Sequence, residues 1–390
     1  MQELPKRFYS LDVLRGLAAL TIVLTHWSGF FFYQGELFET NLTPLHSFLG
    51  PVYENGWRAV DLFFCLSGFI FFWLYAAKIK ASAVSAKEFF VLRFSRLYPL
   101  HLVTLLLVAG GQLVMARIYG SWFIIGNNDL KHFLLQMFFI SKAGADSSFN
   151  GPSWSVTIEI FLYAVFFIAC KCRCIRWWHL LIYAGLGEFW FIHHGPYLAL
   201  SRGVLCFFIG GLSFQAFQFL LGLRLSAFTL RTLAAATLIL WVLIPLEVKN
   251  NYLYSAYETI FSHGHSGALD YFGRGLLRFS IGAYELVLFP LTIITLALWE
   301  TRRGTLGHRL AILGDISYST YLLHFPLQIL FVIAAFALGV STAFFSTLPA
   351  LLLFFSVLIV LSLASHHFLE RPAQSFLRSR LLPAKKRQIK

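Results

Sequence analysis

Charged residues are scarce in this chain. Asp, Glu, Lys and Arg make up 13% of its 390 residues, against about 25% in a soluble domain. Acids are the rarer sign, 18 against 31 Lys and Arg. No polar stretch is long enough to fold alone, the longest loop running from about Glu247 to Ile281. A count of soluble domains from length alone therefore misleads. There is no internal repeat and no low-complexity segment. A Walker loop, a G-x-S-x-G elbow, an H-E-x-x-H helix and a Rossmann glycine fingerprint are all missing, which removes the common signatures of nucleotide, serine-hydrolase and zinc-protease chemistry. The five cysteines are an odd number, with Cys170, Cys172 and Cys174 beside basic residues, so they make no disulfide framework. That run lacks a fourth ligand and His263-Gly-His265 lacks a third, so no metal is expected.

What the chain has instead is apolar length. Hydrophobic residues reach 58% and mean hydropathy is +0.70. Ten stretches are long enough, or nearly so, for the roughly 20 residues a membrane helix needs. They are about Leu11–Phe32, Trp57–Ala77, Leu97–Ile118, Pro152–Cys170, Trp177–Ile192, Val204–Leu221, Leu230–Leu246, Gly282–Trp299, Ile316–Leu338 and Ala343–Ser365, the fifth and seventh being short. Phe133–Ile140 is too short to span and reads as interfacial or re-entrant. The expected fold is all-α, a polytopic bundle of about ten transmembrane helices. Lys6 and Arg7 precede the first run as in a signal peptide, but its length, its Arg15 and its lack of a small-residue cleavage site make it a retained helix. With the N-terminus in the cytoplasm, 23 of the 31 Lys and Arg fall on the inside. Every inside loop then obeys the positive-inside rule. Both termini are expected to be cytoplasmic, and the net charge of +13 is a topology signal that calls for no nucleic acid.

Against this background the polar residues inside spans stand out. An ionisable side chain at a span's centre costs about 2.5–3.5 kcal/mol on the insertion scale. Leu11–Phe32 holds Arg15 and His26, eleven residues apart. That spacing puts them on nearly one helix face, about 16 Å apart along the axis. The pair suits an anion anchored at the cytoplasmic edge with a base placed further along. The plain alternative is a snorkelling Arg and a hydrogen-bonded core His. Arg93 and Arg96 neighbour each other at the entry to the third span. With Arg15 they form a cluster suited to phosphate, which a guanidinium binds through two hydrogen bonds at once. Asp61 lies four residues into the second span, where an acid must face protein or water. Ser67-Gly68 in the same span is a close-packing site. Trp154 marks the outer interface and Glu159 lies about two turns deeper, at a depth comparable with His26. Glu159 either orients that imidazole or forms a helix–helix ion pair, for example with Arg58. Ser317, Tyr321 and His324 share one face of the ninth span.

Taken in order, these stretches resemble the membrane-bound acyltransferase 3 family, whose members O-acylate extracytoplasmic sugars. Arg15 and His26 match R-x10-H, and Phe63-Phe64 with Ser67-Gly68-Phe69 matches FFxxSGF. Arg93, Arg96 and Pro99 match RxxRxxP, while Ser153-Trp154-Ser155 with Glu159 resembles SWSLxxE. Ser317-Tyr318-Ser319 with Tyr321 and His324 resembles ISYSxYLxH, and Glu370-Arg371-Pro372 resembles the family's C-terminal turn. Ile160 stands where many members carry a second acid, and no SGNH hydrolase-like domain follows the bundle in these 390 residues.

The resemblance implies a transmembrane acyltransferase domain over residues 1–372 and a basic cytoplasmic tail over 373–390. It implies an acyl-CoA donor, most often acetyl-CoA, with phosphates near Arg15, Arg93 and Arg96. His26 would serve as general base or carry the acyl group briefly, with Glu159 or Asp61 orienting it. The acceptor would be a glycan or glycolipid hydroxyl outside a bacterial inner membrane, held by residues such as Trp122, Trp154, Tyr321 and His324. A proton-coupled transporter or flippase is the competing class, since it too uses buried Arg, His and acids.

Overall fold

The computed structural model describes residues 4–33, 36–37, 42–141, 147–194, 199–261, 275–276, 278–279 and 282–383. Nearly all of them are helical. The principal helices are α1 (Tyr9–Thr25), α2 (Ala59–Phe71), α3 (Ala86–Tyr119), α4 (Leu130–Met137), α5 (Trp154–Lys171) and α6 (Trp177–His194). They continue with α7 (Ala199–Gly222), α8 (Ala227–Asn250), α9 (Phe289–Arg303), α10 (Ser317–Ala337), α11 (Leu348–Ala364) and α12 (Arg371–Leu381). Among the described residues nine helical stretches are long and apolar enough to cross a membrane. They account for nine of the ten expected spans; the tenth, at Trp177, is the eighteen-residue α6. The chain is an all-α polytopic bundle. A two-residue-a-side hairpin, Phe32–Tyr33 with Glu36–Leu37, is its one sheet among the described residues.

Several boundaries differ from the apolar runs. Leu230–Leu246 reads as short, yet α8 has 24 residues, because its ends carry polar residues that hydropathy alone cannot assign. α3 begins eleven residues before its apolar run, under a capping box in which Ser85 and Glu88 bond each other's backbone amides. Arg93 and Arg96 therefore neighbour each other on a helix, as expected, in the part of α3 that precedes its apolar run. α4 has eight residues, too few to span. α11 continues through a π turn, Ser365–Glu370, into α12. The basic tail is thus helical to Leu381, while residues 384–390 and His263-Gly-His265 lie outside the described residues.

Lipid gives little reason for apolar helices to cluster, so close backbone approach and buried polar contacts hold the bundle. Gly68 of α2 meets Gly210 of α7: a Cβ at Gly68 would lie 1.9 Å from the Phe207 carbonyl oxygen, and one at Gly210 the same distance from that of Cys65. The expected packing role of Ser67-Gly68 is therefore seen at Gly68. Gly16 and Gly314 do the same where α1 crosses the short helix Ile312–Asp315, each lacking room for a Cβ by about the same margin, 2.4 Å from its neighbour. That crossing brings α1 beside the start of α10. Pro326 inside α10 has no N–H, which releases the Leu322 carbonyl from the helix ladder. Asn150 Nδ2 donates to that oxygen at 3.3 Å, as a membrane interior requires. The Asn150 loop is itself held by Gln136 of α4, whose Nε2 donates to the Ser148 carbonyl at 2.9 Å and to Ser153 Oγ at 2.7 Å.

Candidate active site

α1 ends at Thr25, and His26 opens a 3₁₀ turn that runs to Phe31. His26 thus sits on a helix end, where the last carbonyls lack intrahelical partners. Two residues of α10 meet it. Gln328 Nε2 donates to the His26 carbonyl at 2.6 Å, and His324 Nε2 lies 2.8 Å from His26 Nδ1. The two imidazoles are nearly parallel, with centroids 5.0 Å apart. His324 is fully buried, whereas His26 is half-buried. Neither Glu159 nor Asp61 bonds His26; its ring nitrogen Nδ1 is matched by another imidazole.

Toward the basic side of the bundle α1, α2, α3, α5 and α10 enclose a cavity of about 110 Å3. It is roomy enough for a few waters or a slender chain, not for a nucleotide. Its lining includes Arg15, Arg93, Arg96, Glu159, Tyr163 and Tyr321, so the three predicted arginines converge. Their engagements differ. Arg15 is committed to the protein: Nη2 donates to Asp12 at 2.8 Å and to the Gly314 carbonyl at 2.9 Å, and Nε donates to Ser317 Oγ at 3.1 Å. Arg93 is buried among aromatic rings, 4.6 Å from the centroids of both Phe71 and Tyr75, and bonds the Tyr75 hydroxyl. Arg96 is half-buried and has no hydrogen-bond partner among the described residues. Glu159 accepts from Tyr163 Oη at 2.5 Å and from Ser67 Oγ at 3.3 Å. At the far end Tyr321 donates to the Pro152 carbonyl and shares a hydrogen with Ser155 Oγ, both at 2.7 Å. Its ring centroid is 6.0 Å from that of His324. A polar line therefore runs from Arg96 past Tyr321 to His324 and His26.

A family of acyltransferase domains matches residues 8–367. The chain belongs to the membrane-bound acyltransferase 3 family. Protein 2 in the picA locus of Rhizobium radiobacter is 31% identical over 177 residues, covering 42% of this chain and 83% of that protein. Acyltransferase MdmB of Streptomyces mycarofaciens is 31% identical over 160 residues, covering 41% of this chain but only 38% of that protein. No solved structure matches.

The family motifs take distinct places in this acyltransferase. Asp61 is fully buried and paired with Arg202 of α7. Arg58 pairs with Glu285 at 2.9 Å, not with Glu159. Trp57 lies 4.6 Å from the Arg58 guanidinium and 4.4 Å from that of Arg202. Two cations and two acids thus close a neutral quartet joining α2, α7 and the π turn Tyr284–Leu288. Trp154 is half-buried against the apolar core, and Trp122 is 37% exposed. Glu370 accepts from Ser319, tying the C-terminal turn to α10. Cys170 is buried and Cys172 exposed, and among the described residues no three His, Cys, Asp or Glu side chains converge. Sequence reading passed over Gln328, four residues after His324 on the same face, and Arg378 of α12. Arg378 Nε donates to Ser95 Oγ at 3.2 Å, between Arg93 and Arg96, and pairs with no carboxylate among the described residues.

Proposed function

We propose that this acyltransferase moves an acyl group, acetyl in the simplest case, from cytoplasmic acyl-CoA to a hydroxyl of a glycan or glycolipid outside a bacterial inner membrane. The observation that carries this reading is a polar line that starts at unpaired Arg96, follows a cavity whose wall includes Tyr321, and continues from Tyr321 through His324 to an imidazole on a helix end. The inner end of that line is built by the end of α1 and by α10, and the mouth by α3 beside Arg15 of α1. Arg15 and Arg93 set the positive potential of the mouth while held by the protein, so the donor's phosphates meet Arg96 and Arg378. The nucleotide stays outside the cavity, and the pantetheine arm enters along the wall where Phe63 and Tyr321 meet edge to face.

His26 is the general base. Its Nε2 takes the proton of the acceptor hydroxyl as the oxygen attacks the thioester carbonyl. The tetrahedral intermediate collapses with cleavage of the C–S bond, and the thiolate leaves with the proton held by His26. Glu159 works at the cavity wall through Tyr163 and Ser67. The test is purified protein in sealed vesicles of known orientation. Labelled acetyl-CoA on the cytoplasmic face should release CoA and label an acceptor confined to the other face. Acceptor movement without CoA release would make the protein a transporter. Labelling only when donor and acceptor share one side would end the through-membrane reading.

A further inference from the structure

We infer that His324 is a positioning residue that selects the reactive tautomer of His26, an inference that rests on the reading of His26 as the base. Two neutral imidazoles 2.8 Å apart must place one hydrogen between them. Either His26 Nδ1–H donates to His324 Nε2, or His324 Nε2–H donates to His26 Nδ1. The first leaves His26 Nε2 with a free lone pair, the form that can accept a proton. The second puts a hydrogen on Nε2 and silences it.

The other nitrogen of His324 decides between them. Its Nδ1 is buried with no hydrogen-bond partner among the described residues, and the ring lies beside the backbone carbonyls of Thr320 and Tyr321 in its own helix. Carbonyl oxygens only accept. A lone pair on Nδ1 would face like partial charges without a donor, which is costly in a dry interior. The hydrogen of His324 therefore belongs on Nδ1, its Nε2 is an acceptor, and the hydrogen between the rings comes from His26. His26 Nε2, which has no hydrogen-bond partner among the described residues, is then the basic nitrogen. Gln328 adds the second constraint by holding the His26 carbonyl at 2.6 Å, so α10 fixes both the backbone and the ring. When His26 takes the acceptor's proton on Nε2, its Nδ1–H still donates to a neutral partner. No proton leaves the pair toward His324. An imidazole partner in place of a carboxylate adds no negative charge to the span, whose insertion would carry its own cost.

The test compares His324→Leu, His324→Gln and His26→Ala, each checked for membrane level and acyl-CoA binding. A glutamine carbonyl reaches the position of Nε2 and accepts from His26; leucine fills similar volume and cannot. His324→Leu should lower kcat on the order of 100-fold, within the range general-base assistance contributes, with KM for acyl-CoA unchanged. His324→Gln should recover most of that loss. Nitrogen-15 spectra of histidine-labelled protein in nanodiscs should show neutral His26 protonated at Nδ1, and a tautomer mixture in His324→Leu. Full rate in His324→Leu, or a Gln variant no better than Leu in a folded protein, overturns the inference. His26→Ala keeps the two readings apart. If it stays active, the base reading itself fails; if it is dead while His324→Leu is active, only the pairing fails.

Discussion

Glu300 caps the first helix from another one, meeting Ser10 through both backbone and side chain. One carboxylate oxygen accepts from the Ser10 amide at 2.8 Å and from Ser10 Oγ at 2.6 Å, and the other from the Tyr9 amide at 2.8 Å. The first amides of a helix have no partners within it, and a negative charge there also suits the helix dipole. Glu300 is fully buried, so the contact fixes where α1 begins and hence where Arg15 and His26 fall.

Glu300→Ala is therefore expected to act on stability. It strands buried amides at about 1–3 kcal/mol each, whereas Glu300→Gln keeps one acceptor oxygen and should lose less. Thermal unfolding in detergent should rank wild type above Gln above Ala. An Ala variant as stable as wild type would show that the cap contributes nothing.

The arginines should separate by role. Arg96→Gln is expected to raise KM for acyl-CoA roughly ten-fold, the weight of one charge-assisted hydrogen bond to phosphate. Arg378→Gln should move KM in the same direction. Arg93→Gln should instead reduce the folded yield, because that guanidinium lies between two aromatic rings. Steady-state kinetics with acyl-CoA varied checks this, and an unaltered KM in Arg96→Gln would remove that residue from donor recognition.

His26 and Glu159 should also differ. His26→Ala is expected to cut kcat more than about 100-fold with donor binding intact. Glu159→Gln, at the cavity wall, should show mainly in KM for acyl-CoA. Matching kcat losses in both would put Glu159 back in the service of His26.

The helix crossing at Gly68 and Gly210 offers a packing test. Gly210→Ala places a methyl group where the Cys65 carbonyl oxygen stands, so α2 and α7 must separate. Overpacking of this kind costs about 1–3 kcal/mol or more. A lower unfolding midpoint in detergent is the expected outcome, and no change would mean the helices tolerate the spread.

Much of this bundle is legible from the order of the residues. Long apolar runs betray α1, α3, α7, α10 and α11, since lipid demands them, and Ser67-Gly68 reads as a packing site because only small residues let backbones touch. The depth argument, made from residue counts alone, expects Glu159 and His26 near one level. It does not say who meets whom. His26 and His324 are 298 positions apart, and nothing local in either stretch marks the pairing. The three arginines look alike in a helical pattern. What distinguishes Arg96 is that Asp12 and Ser317 occupy Arg15 while Phe71 and Tyr75 surround Arg93. Arg58, the alternative partner for Glu159, pairs instead with Glu285, which the π turn brings to it.

Pro326 and the contact of Asn150 with the freed Leu322 carbonyl have a consequence for how the protein is made. Arg15, His26, Asn150 and Ser155 all leave the ribosome before α10 does. Until it arrives, two ionisable side chains of α1 wait in the membrane without the Ser317 and His324 that later meet them. α10 then enters with a broken ladder of its own and finds each upstream partner already in place, leaving Ser319 and Thr320 to await Glu370 and Ser362. It closes the assembly as an arch is closed. A nascent chain stopped short of residue 317 would keep Arg15 on Asp12 but leave the His26 imidazole without its partner, a mark by which membrane quality control can tell an unfinished molecule from a finished one.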